Sequence, residues 1–329
     1  MADVVVTHPE KVLFPDSGIT KGDLCAYYEA VAPVMVPHLR GRPITMERFP
    51  AGIDKKGFIQ KDVSKGFPEW LARIEIGKRA GKDKDDAGVV HYPLVDDVRA
   101  LLWMANQNSI TPHVWNARLP DLHRPDLCVF DLDPSSDEPA PLRVAALAVR
   151  DLLEELGLPS YVKTSGSKGF HIVVPLDRLD EHELAFRFAQ GAGAVLVKRH
   201  PALLTQEFIK ADRGGRIFVD TGRNAPGATF AAAYAVRPKP GAPISAPCTW
   251  SEIEGAAVGP QTFTLREMAA RLREVGDLWG EIEGRACSLR APMAALERLL
   301  TEEDWRESQA ATTRRPVSRR AKPRPARRG

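Results

Sequence analysis

The chain has 329 residues, 43% of them hydrophobic, with 46 Lys and Arg against 43 Asp and Glu. That is enough length and apolar content for a substantial core in one large domain or two smaller ones, and no uninterrupted apolar run approaches the ~20 residues a membrane helix needs. The opening MADVVVTHPEK lacks the charged-then-apolar layout of a secretory leader, and the four cysteines, Cys25, Cys128, Cys248 and Cys287, show no CxxC pair or zinc-ligand spacing; a cytoplasmic protein without disulfide scaffold or structural zinc is expected.

In chain order, ITKGDLCAYYEAVAPVMVPHL predicts a helix entered at Thr20, with Asp23 three residues on as in a capping box, and broken near Pro33 or Pro37. PITMERF (43–49) and GFIQK (57–61) read as short strands, and GKRAGKDKDDAG (77–88) as an exposed charged loop before the strand VVHYPLV. DDVRALLWMANQN has helical spacing, and TPHVWNA returns to strand character. The strand CVFDLD is followed by a turn rich in Pro, Ser and acid, and then by the amphipathic helix APLRVAALAVRDLLEELG, ended by Gly157. Strand YVKT, loop SGSKG, strand FHIVVPL and a helix over 181–198 come next. RIFVD is a strand, TGRNAPGAT a loop, and FAAAYAVRPKPGAPISAP an extended stretch expected along the surface of a sheet. Helices near 264–275 and 291–306 close the folded part, giving a domain over 1–306 and a disordered tail over 307–329.

The tail carries Arg314, Arg315, Arg319, Arg320, Lys322, Arg324, Arg327 and Arg328 and no acid, so the rest of the chain is net acidic, with 38 cations against 43 anions. A Pro/Arg/Ala segment cannot bury apolar surface. Its charge density suits loose contact with a polyanion, and a solvated terminus without a specific partner accounts for it equally well.

The chemistry gathers around Asp131 and Asp133. Residues two apart in a strand share a face, so both carboxylates point one way while Phe130 and Leu132 point into the core. A strand that simply ends at Asp131, with DPSS as a polar turn, explains the pair as well as a metal site does. Asp220 shifts that balance, because it ends a second hydrophobic strand and offers a third hard-oxygen ligand for Mg²⁺ or Mn²⁺. Three acids from two strands suit a pair of divalent ions ~3.5–4 Å apart, one activating a hydroxyl and the other neutralising a departing pyrophosphate. The intervening loop TSGSKGFHI supplies Gly166 and Gly169 to turn amides toward an anion, hydroxyls at Ser165 and Ser167, and charge at Lys168 and His171. It lacks the GxxxxGK[ST] spacing of a Walker A loop.

FDLDP, TSGSKGFHI and FVDTGRNAPGATFAAAYAVRPKPGAPISAPCTW, in this order over residues 5–285, resemble the signature blocks of the primase–polymerase domain of bacterial DNA-repair ligase D, in the archaeo-eukaryotic primase superfamily. The resemblance implies an α+β fold, a primase-like catalytic core of mixed and antiparallel sheets flanked by helices. It also implies metal ligands at Asp131, Asp133 and Asp220, and nucleotide contacts at Ser165, Lys168, His171 and Arg237. Lys61 and Phe58 match a segment that packs against the incoming nucleotide or templating base, and Lys11 and Lys21 match lysines that bind the 5′-phosphate beyond a gap. Ile59 stands where the family carries a second aromatic. The implied activity is templated extension of DNA or RNA 3′ ends and filling of short gaps with NTPs or dNTPs in non-homologous end joining, with two Mn²⁺ or Mg²⁺ ions, ribonucleotides and Mn²⁺ being favoured. The implied partners are gapped or primer-template DNA and end-joining repair proteins, with a nucleoid-associated, cytoplasmic location. No segment resembles the ligase and nuclease modules, so a stand-alone form is expected.

Two other readings compete. FDLDPSS also resembles the DxDx[ST] motif of haloacid-dehalogenase-type phosphatases, which would make Asp131 a covalent nucleophile. A non-catalytic DNA-binding scaffold would use the cationic tail and the lysine-rich N-terminal half.

Overall fold

A computed structural model describes residues 4–63, 65–77, 88–136 and 138–313. The 78–87 part of the expected charged loop and the basic stretch 314–329 lie outside the described residues. The fold is a mixture of α and β, built around a six-stranded and a four-stranded sheet.

The six-stranded sheet runs in the order Leu204–Thr205, Ile217–Asp220, Leu127–Asp133, Phe170–Pro175, Tyr161–Thr164, Pro247–Cys248. All its pairings are antiparallel except that between the first two strands. Alternation along Leu127–Asp133 divides the sheet by face. Phe130 and Leu132, with Ile172 and Val219, pack into a core with the helices Pro139–Glu155 and His182–Arg199, while Val129 and Val173 on the opposite face join a second core. That second core holds the helices Lys21–Leu39 and Val98–Asn106 together with the four-stranded sheet, ordered Thr229–Ala231, Ser109–Trp115, Ile44–Arg48, Phe58–Gln60. The acids at 131 and 133 therefore lie on the inner face, where the two sheets meet.

The first helix enters as expected, with Thr20 and Asp23 forming a reciprocal capping box, but it is not broken at Pro33 or Pro37 and continues to Leu39. Both prolines sit four residues apart on the exposed side of the helix, where water can take up the carbonyls they leave unpaired. The buried face, with Leu24, Tyr28, Val31, Met35 and Leu39, packs without interruption.

Residues 230–236 and 242–248 differ from the expected surface stretch in being largely buried. This segment begins as an edge strand of one sheet, with Phe230 paired to Val114, and ends as an edge strand of the other, with Pro247 paired to Lys163. Its two halves hydrogen-bond to each other, the Tyr234 amide to the Ser245 carbonyl and the Arg237 amide to the Pro243 carbonyl, and its ends to the two sheets, so it can be interior without being regular. The last helix, Glu302–Thr313, runs past the boundary expected at residue 306. It stays folded because it covers the His182–Arg199 helix: Gln190 Nε2 donates to Thr312 Oγ1 at 3.0 Å and Ser308 is buried. No helix among the described residues is long and apolar enough to cross a membrane.

The acid-bearing strand is pinned at its start. Arg42, 1% exposed, donates to both Asp126 oxygens at 2.7 and 2.6 Å, and Arg118 Nε adds a third bond at 2.5 Å. Arg42 also donates to the carbonyls of His38 and Trp115, tying the first helix and the four-stranded sheet to this strand. Burial works against ionisation of Asp126, and the two guanidiniums outweigh it, holding the carboxyl below its usual range. The stabilisation is therefore complete above about pH 4 and lost as pH falls through the lower folded value. Asp126→Asn is expected to cost about 3–5 kcal/mol in urea unfolding at neutral pH and to flatten the acid limb of the stability–pH curve. A variant as stable as the parent would refute the pin.

Candidate active site

Register assembles the site. Asp131 stands directly opposite His171 on one neighbouring strand and opposite Asp220 on the other, and Asp133 faces Phe218. Cross-strand partners have Cβ atoms only ~4.5–5.5 Å apart, so Asp220, Asp131 and His171 form a row across the sheet. With Asp133, Ser165, Lys168 and Arg237 they line a cavity of about 380 Å³. Seven of the residues singled out in the sequence thus converge, although they come from three strands, a loop and the segment linking the sheets.

Two arginines that the sequence reading did not single out are part of the same wall. Arg223 Nε lies 3.1 Å from Asp131 Oδ2 and 3.2 Å from Asp220 Oδ2, while Arg213 Nη1 donates to Asp133 Oδ2 at 2.8 Å. Arg223 was legible in principle, being three residues after Asp220 in a short 3₁₀ turn; Arg213 had no comparable local signal. Phe218 and the half-exposed Phe208, packed edge to face, complete the rim.

Burial favours the neutral form of Asp131, but His171 and the Arg223 guanidinium outweigh it and hold the carboxyl well below the usual range. Asp220 moves the other way: burial, helped by the Asp131 charge and only partly offset by Arg223, raises it. Burial, helped by Lys163, lowers His171 to about 4 despite Asp131. Near neutral pH the ring is therefore uncharged, and Arg223 is the cation that keeps Asp131 ionised.

The donors fit a divalent cation in kind, since three carboxylates supply hard oxygens on one face and a single positive group already bridges two of them. Among the described residues, however, no three acidic, thiol or imidazole groups form a ready metal cluster. Arg223 and Arg213 hold the carboxylates, and Asp133 is turned toward Arg213.

The SGSKG loop is more self-contained than expected. The Ser167 and Gly169 amides both donate to Ser165 Oγ, at 3.1 and 3.0 Å, so neither turns toward a ligand. The Ser165 hydroxyl keeps its own hydrogen to donate. Arg237 Nη1 donates to the Ser165 carbonyl at 2.7 Å, and the buried Arg237 Nε has no partner among the described residues. Both glycines are sterically required: a Cβ on Gly169 would come within 1.6 Å of the Leu132 carbonyl oxygen, and one on Gly166, whose φ is +62°, within 2.6 Å of Arg237 Cγ.

The remaining expected residues lie outside this cavity. Phe58 is exposed on the edge strand Phe58–Gln60, with Arg48 5.4 Å from its ring centre, beside exposed Ile59 and Lys61. Lys21 is buried, its ammonium donating to Thr7 Oγ1 at 3.0 Å and the Asn106 carbonyl at 3.3 Å, and its amide donating to the carbonyl of the like-charged neighbour Lys11 at 2.8 Å. A second cavity, of about 240 Å³, opens at the other end of the central strands; its Arg42, Arg118, Asp126 and Glu283 are paired with one another.

A family described as the LigD primase-polymerase domain matches residues 20–279. The multifunctional non-homologous end joining DNA repair protein LigD of Mycobacterium tuberculosis (strain H37Rv) is 35% identical over 292 residues, 86% of this chain and 37% of that protein. The corresponding protein of Mycolicibacterium smegmatis is 34% identical over 319 residues, 95% of this chain and 39% of that protein. The chain thus spans well under half the length of these relatives. Among solved structures, the polymerase domain from Mycobacterium tuberculosis ligase D in complex with DNA superposes with a TM-score of 0.79 at 34% identity, covering 87% of this chain and all of that one.

The loop geometry carries its own test. Gly166→Ala forces a left-handed backbone on a residue with a Cβ and displaces Arg237, and is expected to cost about 1–3 kcal/mol in thermal or chemical denaturation. Parental stability, with Arg237 unmoved in a structure of the variant, would contradict that account.

Proposed function

The chain belongs to the LigD primase–polymerase domain family, and from that membership we propose that it is a template-directed nucleotidyltransferase that extends 3′ ends and fills short gaps at DNA breaks with NTPs or dNTPs. The observation that carries the reading is the convergence of Asp131, Asp133 and Asp220 with Ser165, Lys168, His171 and Arg237 in one cavity. An acidic floor beside a cationic and hydroxyl-bearing wall suits a triphosphate held through cations on one side and through direct hydrogen bonds on the other.

Asp131, Asp133 and Asp220 would hold two divalent ions, Mn²⁺ or Mg²⁺. When bound, such ions lower the pKa of the attacking hydroxyl and offset charge on the departing pyrophosphate. The protein's own groups do the rest. Ser165 Oγ, Lys168 and Arg237 bind the phosphates, with the unpartnered Arg237 Nε available to an oxygen. His171, neutral and hemmed in by Phe230, contributes a fixed donor in place of a mobile charge. Exposed Phe58 offers a stacking face for a base, with Lys61 alongside, which is sequence-tolerant as a template-reading enzyme requires. Arg213 and Arg223 pair with these same carboxylates, so binding of divalent ions there would compete with those contacts.

The solved relative was captured with DNA, and DNA with a gap or primer end is the partner proposed here, with end-joining proteins as further partners. The phosphatase reading is disfavoured on geometry as well as family: the Ser135 hydroxyl, which that motif needs at the site, donates to the Arg216 carbonyl at 2.8 Å. An inert scaffold gives no reason for three buried or half-buried acids to share a cavity.

Asp131→Ala and Asp220→Ala are expected to lower single-nucleotide incorporation roughly a thousandfold or more, as loss of several kcal/mol of charge stabilisation implies, while circular dichroism remains native. Extension at the parental rate by either variant would remove the basis of the assignment. Lys11→Ala is expected to erase any preference for a gap bearing a 5′-phosphate and to leave extension of a simple primer-template intact. Equal losses on both substrates would count against a 5′-phosphate role.

A further inference from the structure

Behind His171 lies a polar chain with no place in the scheme above. Lys163 is 0% exposed, and its Nζ stands 2.7 Å from His171 Nδ1 and hydrogen-bonds Ser245 Oγ. Ser245, also fully buried, donates its own hydroxyl hydrogen to the Thr164 carbonyl at 2.9 Å, so toward Lys163 it can only accept. A lysine in a closed site is costly, and leucine or methionine would fill the space at lower cost. Its place in a core strand asks for a reason beyond packing.

The two ends of the imidazole supply one. His171 Nε2 lies 3.4 Å from Asp131 Oδ1, a carboxylate oxygen that accepts, while Asp131 Oδ2 already takes a hydrogen bond from Arg223 Nε at 3.1 Å. Both contacts are satisfied together when the ring carries a proton on Nε2 and turns a lone pair on Nδ1 toward Lys163 Nζ, which donates to it. The Phe230 ring, 5.9 Å from the imidazole and 5.7 Å from Lys163 Nζ, closes the remaining side.

We propose that Lys163 is a positioning residue that locks His171 in its Nε2–H tautomer, so that the ring presents a donor and not a lone pair to the phosphates of the incoming nucleotide. The inference rests on the polymerase reading of the cavity. With the proton on Nδ1, the Nε2 lone pair would face an anion, and a hydrogen bond to a charged acceptor would be exchanged for a repulsion. Lys163 is outside the cavity lining, so it acts on the substrate only through the ring.

The test reads the ring and the reaction separately. Side-chain ¹⁵N NMR of histidine-labelled protein, with His171 assigned by its loss in His171→Asn, is expected to give the Nε2–H pattern in the parent and the Nδ1–H or a mixed pattern in Lys163→Met. In single-nucleotide incorporation the same variant is expected to raise KM for the triphosphate roughly ten- to a hundredfold, the range of one charge-assisted hydrogen bond, with KM for primer-template DNA unchanged. Lys163→Arg, which keeps a donor, is expected to stay within a few-fold of the parent. Should Lys163→Met not fold, Ser245→Ala removes only the second partner of Lys163 and is expected to shift both readouts in the same direction by less. Retention of the Nε2–H pattern in Lys163→Met, or a changed tautomer with an unchanged triphosphate KM, would overturn the proposal, as would equal rises in both KM values. The ring signal is read without substrate, so failure of the tautomer assignment is distinguishable from failure of the polymerase reading, which parental incorporation alone decides.

Discussion

Asp220, Asp131 and His171 stand side by side because three antiparallel strands share one register, and the rest of the site depends on that row. Two carboxylates as cross-strand neighbours repel each other, and a sheet accepts them only with positive charge close by. Arg223 meets that need between Asp131 and Asp220, Arg213 does so for Asp133, and the Arg42–Asp126 pair fixes the strand at its other end. A slip of one residue would send the acids into the apolar core and bring Phe130 and Leu132 to the cavity. The two buried faces of the sheet thus enforce the register that the chemistry needs.

Charge is graded across the row. Asp131 is held ionised, Asp220 is pushed toward its neutral form, and His171 stays neutral. Such splitting follows from two carboxylates placed as buried cross-strand neighbours, which resist ionising together. The Arg213 and Arg223 guanidiniums counter that repulsion with one positive charge each. The acids remain gathered because these pairs offset their mutual repulsion.

Much of this was legible in the sequence, for identifiable reasons. Period-2 alternation in CVFDLD fixed which side chains share a face, and glycine punctuation marked the loop after YVKT. Family motifs then joined segments that no local signal connects, such as Asp131 with Asp220 and Ser165 with Arg237. What escaped was the part decided by long-range contact. Pro33 and Pro37 did not end the first helix because they fall on its solvent side, a property of tertiary placement. The segment from Phe230 to Cys248 looked like surface chain, since proline and glycine hide the fact that both sheets bind it. The last helix outran its expected end because its partner, the helix holding Gln190, lies more than a hundred residues away. Arg213, Arg223 and Lys163 became meaningful only once their neighbours were known.

The segment that begins on one sheet and ends on the other also couples the site to both of them. Each of its ends is an edge strand, and between them it delivers Arg237 to the cavity and Ser245 to the polar chain behind His171. A hinge that parted the sheets would have to peel one of those edges away, breaking backbone bonds inside the core. The shape of the cavity is therefore tied to the integrity of two sheet edges at once, although its lining comes almost wholly from one of the two sheets.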